Sequence, residues 1–377
     1  MRQSVSSRSD GQLAPRAAEE LIARLRAEAD EHAAHARSGR TVELYAADFR
    51  AFRSWCQLVG ERPLPASSDT VSVYLTHLAS LVRGDGEARF KPSSIARKVA
   101  AIAAVHRDAG YASPTADDRV RRVMAGIRRS GDATVRRMRP VFTDDVRGIV
   151  EAMPHHVWPA GVKAARDAAA FLIGFGAALR RSSIVSLDVG DLQLVDYGLE
   201  VHLRRSKTDQ AGVGATLPVP TGTHIATCAA CAWVRWSRIL EALERGCDPL
   251  ALVVTTSPAA EWDARGHWCT TIAPGKPAKS APAFRPLTAS GSVLDRRLSG
   301  DAIYRAVKTR SKSVDLNPVL YGAHSLRAGF VTQARRNGAS RRQVRLQAQL
   351  ATDSMIDVYD REYNPLAGGN AVTMLGL

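Results

Sequence analysis

The sequence predicts a mainly α protein with a small antiparallel sheet, arranged as an N-terminal four-helix domain followed by an α+β domain. Three observations carry this reading. Apolar residues recur at three- and four-residue steps through most of the chain. Two neighbouring segments, Gly198–Leu203 and Ala215–Val219, alternate with the period of a strand across a Gly-containing turn. Between 128 and 140 a run of Gly, Pro, Ser and five arginines carries no apolar period and reads as a linker. At 377 residues the chain is long enough for two domains with cores of their own.

Residues 1–37 are rich in Ala, Arg and Glu, which predicts a fraying helix over Glu19 to Arg37 and disorder before it. The first domain spans 38–127. Its first helix carries Tyr45, Phe49, Phe52, Cys56 and Val59 on one face and stops at Gly60. The second takes Asp69 as its N-cap and buries Val71, Tyr74, Leu75, Leu78 and Leu81. The third begins after Pro92-Ser93 with Ile95, Val99, Ile102 and His106, and ends before Gly110. The fourth runs over Val120, Val123, Met124 and Ile127. Four amphipathic helices joined by polar loops make a small bundle.

The linker, 128–140, places Arg128, Arg129, Arg136, Arg137 and Arg139 where they can lie along a phosphate backbone, although each is also acceptable as a plain solvated residue. The second domain, 141–377, opens on Thr143 as the N-cap of a helix through Ile149. Ala168 to Ala178 is apolar enough for a core helix, and Lys207 lies at the near end of the strand hairpin. Ala230 to Leu243 is a helix carrying Trp233, Trp236 and Leu240. Residues 257–298, rich in Pro, Gly, Ala and Ser, read as a long loop or insertion. Short helices follow at 301–309, 325–337, 340–350 and 353–362, then an apolar tail at 364–377.

Lys and Arg number 52 against 37 Asp and Glu, a net charge of +15. Such an excess suits a polyanionic partner, nucleic acid above all, although a simple preference for Arg gives the same count. No apolar run approaches the roughly 18 residues of a membrane span, and Met1 to Pro15 lacks the apolar region of a secretory signal. Five cysteines fit a reducing cytoplasm better than a disulfide framework. Cys228-Ala229-Ala230-Cys231, with His224, Cys247 and Cys269 nearby, raises the question of zinc. No second CxxC follows at ligand spacing and Cys231 opens an apolar helix, so the expectation is of no metal and no cofactor.

Breaking a phosphodiester without metal needs an in-line nucleophile, cations on the equatorial oxygens and an acid for the leaving oxygen. Arginine suits the second task because its planar fork binds two phosphate oxygens and keeps its charge. Lysine suits the third because neighbouring cations ease loss of its proton, and those same cations ease ionisation of a tyrosine. Arg180, Lys207, His324, Arg327 and Tyr359 supply this set. Arg181 adjoins Arg180, and Tyr363 lies one helical turn beyond Tyr359, so each has a rival in the sequence.

The contexts of these residues resemble one family. Phe175-Gly176-Ala177-Ala178-Leu179-Arg180-Arg181-Ser182-Ser183-Ile184-Val185-Ser186-Leu187 resembles the first arginine box of the tyrosine recombinases, the phage integrase family. His324-Ser325-Leu326-Arg327-Ala328-Gly329-Phe330 is similar to their HxxR box, Arg205-Ser206-Lys207-Thr208 to their lysine hairpin, and Val358-Tyr359-Asp360-Arg361 to their nucleophile context. The helical bundle at 38–127 is similar to their core-binding, SAM-like domain, so the resemblance covers nearly the whole chain from Ser38.

The resemblance implies that Arg180 and Arg327 clamp the scissile phosphate, Lys207 protonates the 5′-hydroxyl, His324 assists, and Tyr359 forms a 3′-phosphotyrosyl link. It implies a site-specific recombinase of a mobile element, or a resolvase, closing two domains on double-stranded DNA without ATP or metal. It also implies four protomers linked through the tail at 364–377, working in a prokaryotic cytoplasm in association with the nucleoid. Two positions depart from the family. Ser183 stands where an acidic residue is usual, and Leu350 stands nine places before Tyr359 where a histidine or tryptophan is usual. These departures leave open an accessory protein that binds DNA and has lost the reaction. A type IB topoisomerase-like enzyme shares the chemistry but not the N-terminal bundle.

Overall fold

The computed structural model describes residues 15–35, 37, 39–130, 137–204, 214–247 and 266–360. The chain divides into two units, Met1–Val135 and Arg136–Leu377.

In the first unit α1 spans Pro15–His35, beginning earlier than the predicted Glu19. Helices α2 (Gly39–Val59), α3 (Ser68–Ser80), α4 (Pro92–Asp108) and α5 (Asp118–Ser130) follow. The predicted apolar faces meet in one core of Phe52, Tyr74, Leu75, Ile95, Ile102 and Val120. Gly60 (φ 76°) and Gly110 (φ 75°) take the left-handed conformation that ends α2 and α4. The cap of α3 is Ser67, not Asp69: Ser67 Oγ accepts the Thr70 N–H at 2.9 Å, and Asp69 pairs with Arg119 at 2.7 Å. His106 is buried and satisfied, facing the Ile102 carbonyl through Nδ1 at 2.8 Å and accepting the Ala66 N–H on Nε2 at 2.9 Å. Helix α5 runs past the predicted boundary at 127, so Arg128 and Arg129 belong to its last turn rather than to a linker. Cations are favoured there by the exposed carbonyls of the helix end.

The second unit starts with α6 (Thr143–Glu151). Thr143 is its first helical residue rather than its cap; the Phe142 N–H is instead satisfied by the Asp145 carboxylate at 2.9 Å. Helix α7 (Ala160–Gly176) is buried almost all round and longer than the predicted core helix. Its early turns hid their burial behind charge: Arg166 and Asp167 are both interior and paired at 2.6 Å. After α8 (Arg181–Ser186), strands β1 (Leu192–Val195), β2 (Gly198–Leu203) and β3 (Ala215–Pro220) form an antiparallel sheet in the order β1-β2-β3.

The hairpin β2–β3 is the predicted one, with Val201 opposite Leu217, whereas β1 adds a strand the sequence did not announce. Four residues are too few for alternation to stand out. Gly198 is required at the tight turn into β2, because a Cβ there would lie 2.3 Å from the Val219 carbonyl oxygen.

Helix α9 (Ala229–Glu244) buries Trp233 and Trp236, and Trp236 Nε1 donates to the Ala283 carbonyl at 2.8 Å. That bond ties the later part of 257–298, expected as a long loop or insertion, into the core. From Gly266 on, the segment is irregular as expected, with one short helix α10 (Trp268–Thr271), but Ala283 and Phe284 are fully buried in the core. Its backbone is tied in by Ala283 N–H to Leu187 O at 2.9 Å. Helices α11 (Gly300–Lys312), α12 (Ala323–Arg336), α13 (Arg341–Gln347) and α14 (Ser354–Tyr359) complete the described part. The tail at 364–377 and Tyr363 lie outside the described residues. No described helix is long and apolar enough to cross a membrane.

A buried pair in this unit makes stability pH-dependent. His155 Nε2 donates to the Val150 carbonyl at 2.6 Å, and Nδ1 faces the Arg235 guanidinium at 2.9 Å. Burial first, and the Arg235 charge second, push the imidazole down to about 3. The folded pKa lies below the unfolded value of about 6.5, so the unfolded chain binds more protons between those limits. Stability contributed by neutral His155 is therefore present above about pH 6.5 and lost as pH falls toward 3, by at most about 1.4 kcal/mol per pH unit. Urea midpoints at pH 7, 6 and 5 should show this slope in the native chain and a shallower one in His155→Gln.

Candidate active site

The site is built where three chain segments of the second unit converge. Helix α7 ends at Gly176, and Ala178 follows in the left-handed conformation at φ 49°. A non-glycine residue there costs energy and is held by its surroundings. Ala178 is fully buried, and its carbonyl accepts Arg327 Nη1 at 2.5 Å. The chain then straightens, so that Arg180, extended at φ −72° and ψ 151°, caps α8. Arg181 turns away and pairs with Asp301 at 3.0 Å, whereas among the described residues Arg180 has no carboxylate partner. This separates the two adjacent arginines that the sequence left as rivals.

Arg327 sits one turn into α12 and is 2 % exposed. Its second nitrogen, Nη2, donates to the Ala348 carbonyl at the C-cap of α13. The next residue, Gln349, is again left-handed at φ 48°. Two chain reversals thus each present a carbonyl to one guanidinium, at helix ends where the backbone carries partial negative charge. Among the described residues no carboxylate pairs with Arg327, and its buried Nε has no hydrogen-bond partner. Burial pushes its pKa down to about 10; the like charge of Arg180 adds to this and the Tyr359 phenol opposes it. A buried, incompletely neutralised cation beside a second cation is a site prepared for an anion.

Tyr359 is the last residue of α14, with the Arg327 guanidinium carbon 5.2 Å from its ring centroid. Its carbonyl accepts Thr332 Oγ1 at 3.0 Å, which ties the end of α14 to α12. His324 is exposed on the first turn of α12, one turn before Arg327. The structure therefore brings Arg180, Arg327 and Tyr359 together and sets His324 on the same helix. Lys207 lies in the chain between β2 and β3, outside the described residues.

Both departures are buried in the fold. Ser183 is buried on α8. Leu350 packs in an apolar cluster with Ala178, Val331, Val344, Ala348 and Ile356, against which the Tyr359 ring rests. The cluster supports both chain reversals that hold Arg327. Leu350→Ala is expected to cost about 3 kcal/mol through the lost contacts and the cavity left behind, measured as a drop in the urea midpoint. Gln347, which the sequence did not single out, bridges α13 to the end of α7 through the Gly176 carbonyl at 3.0 Å, and to β3 through the Pro218 carbonyl at 2.9 Å.

Of the linker arginines, Arg137 Nη1 approaches the Val358 carbonyl, one residue before Tyr359, at 3.4 Å. The Arg139 N–H is bonded to the Leu320 carbonyl at 2.8 Å, and Arg136 lies outside the described residues. The expectation of no metal ligands needs revision elsewhere in this unit: Cys228, Cys231, His267 and Cys269 bring their ligand atoms within 4.8 Å of one another. His224 and Cys247, which the sequence placed beside the CxxC, are not members; His224 Nδ1 instead accepts the Ala226 N–H at 3.1 Å.

No family model matches the chain. An integrase/recombinase of Selenomonas ruminantium, a xerD homologue, is 26% identical over 344 residues, spanning 90% of this chain and 87% of that protein. Among solved structures, the Tn1549 transposon integrase in complex with transposon right-end DNA aligns with a TM-score of 0.51 at 13% identity, covering 92% of this chain and 96% of that one. A lambda integrase fragment dimer bound to a core site aligns at 0.49 and 17% identity, over 90% and 95% of the respective chains. The mainly helical architecture with a small antiparallel sheet aligns with the fold of the Tn1549 integrase, and by sequence the chain is similar to the xerD-like integrase/recombinase over most of its length.

Proposed function

We propose that the protein is a site-specific DNA recombinase that cleaves and rejoins strands through a 3′-phosphotyrosine intermediate, with no divalent metal or ATP in the reaction. The observation that carries this is the Arg327–Tyr359 pair: a buried guanidinium beside a phenol, with Arg180 close enough to repel it. A scissile phosphate placed on these two arginines relieves their mutual repulsion, and the gain is largest when negative charge accumulates on the equatorial oxygens. The Tyr359 oxygen attacks phosphorus, the bond to the 5′-oxygen breaks, and Lys207 protonates that oxygen with His324 assisting. The phosphotyrosyl ester keeps the bond energy, so a 5′-hydroxyl from another strand reverses the step.

The substrate in this reading is double-stranded DNA, as in the DNA complex of the Tn1549 integrase, and the net charge of +15 suits it. Arg128, Arg129, Arg136, Arg137 and Arg139 supply phosphate contacts, and the tail at 364–377 links four protomers. The protein then works in the cytoplasm on nucleoid DNA. Leu350 favours one second reading, a DNA-binding accessory protein without the reaction, because an apolar side chain replaces a phosphate donor. Suicide duplexes drawn from the DNA flanking the gene separate the two in buffer without added divalent cation. A protease-sensitive covalent adduct is expected, and binding without adduct would support the accessory protein.

A further inference from the structure

We propose that Cys228, Cys231, His267 and Cys269 form a structural zinc site, independent of the phosphate chemistry. The ligand atoms come from two separate stretches of the second unit. Cys228 caps α9 and Cys231 lies in its first turn, both buried. His267 caps α10 and Cys269 lies within it, both half-buried. Chain segments far apart in sequence thus place three sulfurs and one imidazole around a common point, the donor set of a closed tetrahedral zinc site.

The spacings suit an ion. Arms of about 2.3 Å to sulfur and about 2.0 Å to nitrogen give tetrahedral edges of about 3.5 to 3.8 Å. Cys228 Sγ and Cys269 Sγ are 3.9 Å apart, and Cys231 Sγ lies 3.4 Å from His267 Nδ1. A disulfide requires sulfurs about 2.05 Å apart, so Cys228 and Cys269 are not bonded to each other, and all three cysteines are free thiols. The Cys231 N–H points at Cys228 Sγ at 3.5 Å, a donor to a sulfur that carries charge when it holds metal. Gly222 lets the chain pass close to this sulfur's backbone: a Cβ there would meet Cys228 Cα at 3.1 Å and N at 3.2 Å. The sequence misled because the second ligand pair is HxC on a one-turn helix rather than a second CxxC.

Four protein ligands leave no open position, so the ion would stabilise rather than catalyse. Its place explains the benefit. Cys231 and Trp268 border the same small cavity as Ala168 and Leu172 of α7 and Arg235 of α9. The ion pins α10 to α9 beside the helix whose far end leads to Arg180, across a connection in which 248–265 lie outside the described residues.

The test is metal analysis of the full chain, expressed with zinc and purified under reducing conditions. About one zinc per chain is expected, with a thiolate-to-metal absorption band after exchange for cobalt. Cys269→Ser should lose the metal, Cys247→Ser should keep it, and His267→Cys should retain it as a four-sulfur site. Zinc removal by a chelator should lower the melting temperature of the native chain and leave that of Cys269→Ser unchanged. If Cys269→Ser does not fold, the native chain and His267→Cys still decide. A folded native chain without stoichiometric zinc and without the cobalt band would overturn the site. So would an intact mass showing a disulfide within the cluster, or full metal retention in a folded Cys269→Ser. The metal count stands apart from adduct formation, so the zinc site and the recombinase reading fail separately.

Discussion

Tyr359→Phe is expected to bind DNA as tightly as the native chain and to form no covalent adduct, a loss of at least about 10⁴-fold, as for removal of other catalytic nucleophiles. The substitution is selective for a physical reason. The ring supports the fold, resting against the cluster around Leu350 and Ile356 with the Arg327 guanidinium 5.2 Å from its centroid. Phenylalanine keeps those contacts and most of the cation–π attraction, so stability should change by less than about 1 kcal/mol. Only the phenol oxygen is removed. Adducts are read by denaturing gel after incubation with a suicide duplex, and binding by a mobility shift at fixed salt, because phosphate contacts are salt-dependent. Tyr363→Phe should leave the adduct intact. Adduct on Tyr359→Phe would transfer the nucleophile elsewhere, and Tyr363 would be the first candidate.

The sequence pointed to Arg180, Arg327 and Tyr359 as one candidate cluster because each sits in a local context that constrains it. Arg180 follows the apolar helix α7, Arg327 lies one turn after His324, and Tyr359 ends a short amphipathic helix. The bundle of the first unit was legible for a similar reason: Phe52, Leu75, Ile95 and Ile102 repeat with the helical period and meet in one core. What stayed hidden depends on contacts distant in sequence. The burial of Ala283 and Phe284 follows from a tryptophan hydrogen bond and a backbone pairing with Leu187, neither of which leaves a periodic trace. The early turns of α7 looked polar because Arg166 and Asp167 are charged, and their mutual pairing is a tertiary fact. His267 joins three cysteines only because α10 returns to α9. The role of Leu350 was hidden for the opposite reason: compared with a family pattern it looks like a deficit, but in the fold it packs beneath two strained chain reversals.

Arg180→Ala and Arg327→Ala should both reduce cleavage by at least about 10² to 10³-fold, and yet differ in stability. In the proposed reaction both guanidinium groups bind the phosphate, so each loss removes charge stabilisation that peaks in the transition state. Their places in the fold are unequal. Among the described residues Arg180 forms no ion pair, and it is half-exposed, so its truncation should leave the urea midpoint within about 0.5 kcal/mol of native. Arg327 is anchored by the Ala178 and Ala348 carbonyls, and removing it leaves both buried acceptors without that donor. Each orphaned carbonyl costs about 1–3 kcal/mol, partly offset because a cation no longer has to be held away from water. A net loss of about 2 kcal/mol is expected for Arg327→Ala. Arg327→Lys should recover part of the stability and little of the activity, because one ammonium cannot span two carbonyls and still present a planar fork to a phosphate. Stability and cleavage measured on all three variants decide the matter. An Arg327→Ala chain as stable as native would refute the carbonyl anchoring, and an Arg180→Ala chain with native adduct yield would remove Arg180 from the phosphate clamp.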